Sequence, residues 1–277
     1  MEAYHAPLLS DCDGSGQAPK PRRGKMLNRW TIKMEQFTAF SDMEKRRLDD
    51  LIGGRRDRHA SKQDIIAEGE HSDHCHVVLS GLACRYKLLP DGSRQIMAFL
   101  IPGDLCDAEI FVLKVMDHGV AAITPTTTAL VSSQDMKQIL RETSSLGEAL
   151  WWGTMTDLAV LRERIIDEGR RDAYVRIAHL FYEMLVRHRM VELTKDDSFE
   201  FPITQVDLAD ATGLTPVHAN RTLRKLRAEG LLEFAGGVVT IRDTERLKAA
   251  ARFNGEYLHL DRVHNAASVG RRAGDLV

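Results

Sequence analysis

The 277-residue sequence predicts an α+β chain: an N-terminal antiparallel β-roll of the jelly-roll type, a long dimerisation helix and a C-terminal winged helix-turn-helix. Three observations predict it. Residues 56–133 read as short apolar runs separated by turn residues, the pattern of a small antiparallel barrel. Residues 144–169 form one helix-period segment with more apolar surface than a single neighbour can cover. Residues 201–241 carry two capped helices and then a hairpin, the order found in a winged helix.

Taken in order, residues 1–27 lack periodicity and are expected to be a disordered leader. Residues 30–52 are predicted as helix, with Phe37, Phe40, Met43, Leu48, Leu51 and Ile52 apolar and a capping box at Ser41 and Glu44. A sensor domain is placed at 28–143. Its strands are expected from the runs 65–67, 77–79, 82–89, 96–101, 121–123 and 129–131, with a short helix at 107–114. Pro90-Asp91-Gly92 is a strong hairpin turn, because proline pre-sets one dihedral and glycine accepts a positive one.

A helix at 134–141 precedes the long one at 144–169. In the long helix Leu146, Leu150, Thr154, Leu158, Leu161 and Ile165 make one stripe, and Trp151, Met155, Val160 and Ile166 widen it. Such a helix is expected to lie on its own β-roll on one side and on the equivalent helix of a second copy on the other. Burial inside a single larger fold is the plainer alternative. Gly169-Arg170-Arg171-Asp172 reads as a hinge, 173–191 as helix, and 243–253 as a helix capped by Asp243. The winged helix-turn-helix domain is placed at 170–260, with a C-terminal tail at 261–277.

The module at 201–241 carries the chemistry. Thr204 and Asp207 make a capping box, and Val206, Leu208, Ala209 and Ala211 supply an apolar face. Gly213 ends that helix, and Thr215-Pro216 starts the next as N-cap and first residue. Ala219, Leu223 and Leu226 face inward, while Val217, His218, Arg221, Arg224 and Lys225 lie on the other sides. A helix with a cation-rich face and free N-terminal residues suits the major groove, and Arg221 is the candidate for bidentate contact with guanine. A solvated basic face is the plainer reading, but turn, caps and hairpin coincide here, so double-stranded DNA is the expected partner.

Composition narrows the rest. The formal net charge of −2 gives no global attraction to DNA, so affinity has to come from this local patch. No apolar run has the length of a membrane span, and residues 1–25 lack a signal-peptide core, so no membrane partner and a cytoplasmic location are expected. Cys12, Cys75, Cys84 and Cys106 form no CxxC pair or finger pattern. No nucleophile elbow, phosphate loop or HExxH motif is present, and no enzymatic activity is expected.

A β-roll, long helix, hinge and winged helix together resemble the Crp/Fnr family of bacterial transcription regulators. HVVLSGLACRYKLLPDGSRQIMAFLIPGD resembles the family's β-roll core, and TQVDLADATGLTPVHANRTLRKLRAEGLL resembles its helix-turn-helix, the more specific match. The resemblance implies a homodimeric regulator that reads a near-palindromic operator through the helix at 215–228. It also implies control through a cyclic-nucleotide-binding-like β-roll, and contact with RNA polymerase if the protein is an activator. First phosphate contacts fall on Thr204 and Gln205, and base-reading positions on Pro216, Val217 and Arg221. Val217 stands where many relatives carry a glutamate, which implies a different operator base there. Thr215, as N-cap, His218 at a neighbouring base, and Asn220 and Arg224 at phosphates complete the expected interface.

The sensor departs from relatives that hold a cyclic nucleotide with a Gly-Glu and an Arg-Ser pair. The corresponding stretch offers Asp107-Ala108 and Gly119-Val120-Ala121-Ala122. No arginine remains to neutralise a cyclic phosphate and Asp107 would repel one, so neither cyclic AMP nor cyclic GMP, nor any other cofactor, is expected. Asp107, Glu109 and His118 are the candidate ligand-binding residues. The alternative is a haem- or metal-dependent redox or gas sensor with the same output, using His74, Cys75 and His76 as ligands. His74 and His76 would share a strand face, with Cys75 on the other, near Cys84. A solvated strand start is the plainer reading of that cluster.

Overall fold

The computed structural model describes residues 28–107 and 113–260. The leader at 1–27, the tail at 261–277, Glu109 and most of the helix expected at 107–114 lie outside the described residues.

The first helical stretch is two helices, α1 (Arg29–Glu35) and α2 (Asp42–Gly53). The break follows from the caps. Asn28 caps the first helix, and Ser41 accepts from the Glu44 amide while Glu44 accepts from the Ser41 amide at 2.7 Å, which closes the second helix at its N-terminus. Leu48 and Ile52 face the core as expected, whereas Met43 stands 63% exposed in the first turn of α2.

The β-roll is formed by β1 (Arg56–His59), β2 (Asp64–Ile66), β3 (His74–Ser80), β4 (Ala83–Leu88), β5 (Arg94–Leu100), β6 (Gly119–Ala122) and β7 (Thr126–Ser132). They make two antiparallel sheets, ordered β1-β7-β3 and β2-β6-β4-β5. β1 is absent from the expected runs because its sequence, RDRH, is polar throughout; its backbone pairs with β7 and only His59 is buried. The Pro90-Asp91-Gly92 turn forms as expected, with Gly92 at φ 82° and the Ser93 amide donating to Asp91. Between β4 and β5 the register steps from Arg85↔Ala98 to Tyr86↔Ile96, so Met97 is an extra residue. That bulge lets Ile96 and Phe99, three apart, reach the same core.

α3 (Ser133–Glu142), α4 (Ser144–Arg170) and α5 (Ala173–Met190) follow. The C-terminal unit comprises β8 (Ser198–Glu200), α6 (Gln205–Thr212), α7 (Pro216–Ala228), β9 (Leu232–Ala235), β10 (Val238–Ile241), α8 (Thr244–Ala250) and a 3₁₀ turn, Gly255–Leu258. Its sheet is ordered β8-β10-β9.

Two cores result. One lies inside the roll and collects Leu48, Ile66, Val77, Met136 and Leu146. The other joins the roll to the C-terminal unit: Ile96 and Phe99 meet Phe181 and Phe201, and the Phe99 and Phe201 rings stand edge-to-face at 4.9 Å. Each fully buried phenylalanine contributes about 1.5–3 kcal/mol, so the two units are held in one arrangement by packing.

A buried charge group reinforces that junction. Asp104, in the Pro102-Gly103-Asp104 turn, accepts from Lys33 of α1 at 2.8 Å, from Arg187 of α5 at 2.7 Å and from the Ile101 amide at 2.8 Å. Burial works to raise its pKa, but Lys33 and Arg187 overcome this and hold the carboxylate well below the ordinary range. Its folded pKa is depressed, so its stabilisation is complete above about pH 4 and is lost as pH falls further. Asp104→Ala is expected to destabilise the chain by about 3–5 kcal/mol, because the buried Lys33 and Arg187 both lose a carboxylate partner, Arg187 keeping the Phe99 carbonyl and Glu183. A urea melt within 1 kcal/mol (about the noise of such single changes) of the wild type would show that Lys33 and Arg187 reach other acceptors.

His188 gives a second pH dependence. Its ring lies against Phe199 at 4.6 Å, Nδ1 sits 2.7 Å from the Met184 carbonyl, and burial pushes its pKa down to about 4. The unfolded chain therefore binds more protons between about pH 4 and 6.5, and stability falls as pH drops through that window. The loss should approach about 3 kcal/mol. His188→Leu is expected to flatten this acid limb; a limb that stays the same would assign the loss to other groups.

Candidate nucleic-acid interface

The helix-turn-helix is set by local caps. The Thr204 hydroxyl accepts from the Asp207 amide at 3.1 Å, and Asp207 accepts from the Thr204 amide at 2.9 Å. Gly213 then adopts φ 59°, a left-handed conformation open to glycine, and turns the chain. Thr215 caps α7 by accepting from the His218 amide, with Pro216 in the first turn. Ala219, Leu223 and Leu226 are buried as expected. Val206 is not part of the inner face of α6: it is 52% exposed, on the side of the helix away from Leu208 and Ala209.

The outer face of α7 is open. Val217 is 81% exposed, Thr215, Pro216, Arg221 and Arg224 are exposed, and His218 and Asn220 are half-buried. Thr204 and Gln205 are also exposed at the start of α6. Among the described residues no hydrogen bond or ion pair occupies Arg221 or Arg224, so both guanidiniums are available to an outside partner. Lys225 differs, sitting 4.7 Å over the Tyr174 ring. Arg224 and Arg227 border a shallow cleft of about 370 Å³ shared with Glu233 and Ala235, which joins the helix to the hairpin. The hairpin turns on Gly236 and Gly237, both at positive φ, and presents no side chain at its tip.

Three charged groups near this module are not singled out by sequence reading. Arg94, at the start of β5, donates to Asp207 at 2.6 Å and Asp210 at 2.9 Å and so ties α6 to the roll. Burial works against the Asp207 charge, and the bonds from Thr204 and Arg94 outweigh it and lower its pKa. Arg176 and Glu168 meet at the helix-turn-helix turn. The pairing of Arg94 with Asp207 spans 113 positions, and local spacing carries no signal for it.

The long helix keeps the expected stripe open. Leu146 is buried and Leu150 half-buried against the roll, while Thr154, Leu158, Leu161 and Ile165 are exposed, the last at 72%. Trp151 and Ile166 widen the open stripe. Of the other two residues expected to widen it, Val160 is buried in the core that joins the two units and Met155 is half-buried, while Leu146 and Ala149 pack into the core of the roll.

In the sensor, the candidate metal residues do not converge. His76 is buried, with Nδ1 2.7 Å from Asp107 and its amide donating to the same carboxylate at 2.8 Å. Cys75 lies in the inner core, where burial, Asp107 and Cys106 push its thiol pKa well up; Cys84 belongs to the other core, so the expected approach of the two is not formed. His74 borders a separate surface cleft. Among the described residues no three His, Cys, Asp or Glu groups are set to hold a metal. Asp107 is fully buried and turned to His76. His118 pairs with Asp117 and borders a cavity of about 660 Å³ between β4, β5, α4 and α5, with Arg85, Asp157, Leu158 and Arg187 also on its walls.

Comparison with known proteins matches these two units separately. Residues 57–143 match the cyclic nucleotide-binding domain model and residues 175–250 the Crp-like helix-turn-helix domain model. The nitrogen fixation regulation protein FixK of Bradyrhizobium diazoefficiens is 28% identical over 199 residues, 72% of this chain and 82% of that protein. The transcriptional activator protein FnrL of Cereibacter sphaeroides is 25% identical over 177 residues, 63% of this chain and 71% of that protein. The structure of FixK2 from Bradyrhizobium japonicum superposes with a TM-score of 0.64 at 27% identity, covering 71% of this chain and 96% of that one. With the cyclic nucleotide-binding-like roll and the Crp-like helix-turn-helix matched in order along the chain, this chain belongs to the Crp/Fnr family of transcription regulators.

Proposed function

We propose that the protein acts as a homodimer, reads a near-palindromic operator through α7 of each protomer, and is controlled through the β-roll and its cavity on α4. The observation that carries this reading is the open outer face of α7, with Arg221 and Arg224 available and Val217 fully presented. Arg221 reads guanine, Val217 meets a thymine methyl and His218 a neighbouring base, while Thr204, Gln205, Asn220 and Arg224 lie at phosphates. Thr215 and Pro216 set the start of the reading helix. Two such helices in a dimer sit about 34 Å apart. An activator of this kind also contacts RNA polymerase, and a bacterial transcription regulator works in the cytoplasm. No helix among the described residues is long and apolar enough to cross a membrane. Selection of operators from a random duplex pool, followed by footprinting, tests the reading. Inverted half-sites about one helical turn apart are expected, and a single unrepeated site would overturn it.

The residues of the roll do not fit a cyclic nucleotide. Between Asp104 and Pro125 there is no arginine, and the buried Asp107 carboxylate stands at the start of that stretch. Arg85 and Lys87 on the nearby strands are engaged by Asp157 and Glu68. Millimolar cyclic AMP or cyclic GMP is therefore expected to leave the melting temperature unchanged; a concentration-dependent rise would show binding.

A further inference from the structure

The last turn of the long helix touches the turn of the helix-turn-helix. Arg176, the fourth residue of α5, is buried there. Its Nη1 donates to Glu168 Oε2 at 2.8 Å and to the Thr212 carbonyl at 2.5 Å. Its Nη2 donates to the Glu168 and Arg171 carbonyls, each at 3.1 Å. One guanidinium thus gathers the end of α4, the linker to α5 and the end of α6. The Thr212 carbonyl is a C-terminal acceptor of α6, where a cation is favoured by the helix dipole. Gly213 completes the contact: a Cβ there would stand 2.1 Å from Glu168 Oε2.

We propose that Arg176 and Glu168 are positioning residues that fix the direction of α7 relative to the long helix, and so the half-site spacing the dimer accepts. The inference rests on the dimer and operator reading above. α6 and α7 move together because they share a core, and α7 starts three residues after Gly213. Arg164 of α4 also pairs with Glu183 of α5, so the two helices stay joined further along, but it is the Arg176 guanidinium that bonds the last turn of α4 to the end of α6, while Arg94 secures α6 to the roll rather than to the long helix. A rotation at the linker at 171–172 is doubled across a two-fold axis, so small angular freedom becomes tolerance to spacing.

The experiment uses the full-length dimer and duplexes carrying two selected half-sites whose centre is lengthened or shortened by one base pair. Wild type is expected to prefer one spacing. Arg176→Met and Glu168→Gln are each expected to reduce that preference by roughly fivefold or more, with unchanged affinity for an isolated half-site and unchanged dimer mass. A second arm tests the close approach at Gly213: Gly213→Ala should lose spacing preference, and adding Glu168→Ala should produce no further loss. Should Arg176→Met lack a cooperative melt, Glu168→Gln, at an edge position, decides the matter. A folded, dimeric Glu168→Gln that keeps the wild-type preference, with only a lower melting temperature, overturns the positioning role. Absence of any spacing preference in wild type overturns the operator reading and this inference together.

Discussion

Arg221→Ala is expected to remove specific operator binding while leaving the dimer and its melting temperature unchanged. The side chain is exposed and makes no bond within the described chain, so its loss leaves nothing buried without a partner. A bidentate guanine contact is worth about 1–3 kcal/mol of discrimination in each half-site, and two half-sites double it. Arg224→Ala provides the contrast. It should weaken binding to all sequences alike and lower the salt dependence by about one phosphate contact per half-site. Fluorescence anisotropy on matched and scrambled duplexes at several salt concentrations separates the two. A variant lacking Arg221 that still prefers its operator would mean that another residue of α7 reads the bases.

The second large effect is expected at the open stripe of α4. Leu161→Glu together with Ile165→Glu should give a folded monomer, since both side chains are on the solvent side. The apolar surface of Trp151, Leu158, Leu161 and Ile165 is large for a chain alone in water, and burial against a second copy removes it. Operator affinity should fall by roughly 10²–10⁴-fold, because the second half-site is then no longer held at high effective concentration. Sedimentation measures the mass and anisotropy the affinity. A double variant that remains a dimer would place the interface on another face.

What was legible in the sequence is what depends on near neighbours. Thr204 with Asp207, Gly213, and Thr215 with Pro216 fix the helix-turn-helix through bonds spanning three residues or through one backbone dihedral. The stripe on α4 was readable because apolar residues at helical spacing exceed what the roll can cover. β1 was not readable, since RDRH is held by backbone pairing to β7 and offers no apolar alternation. His74, Cys75 and His76 are adjacent in sequence, yet the strand sends them to a surface cleft, the core and a buried carboxylate. Arg94, Asp104 and Arg176 find partners far along the chain, so only the folded arrangement identifies them.

The bare glycine tip of the hairpin has a consequence for how the protein holds DNA. With no side chain at Gly236 or Gly237, the hairpin tip brings no cation to a phosphate, and among the described residues of the module Arg221 and Arg224, exposed on α7, are the ones expected to release counterions. The salt dependence of its hold on random duplex is then expected to be smaller than that of a wing with a cation at its tip.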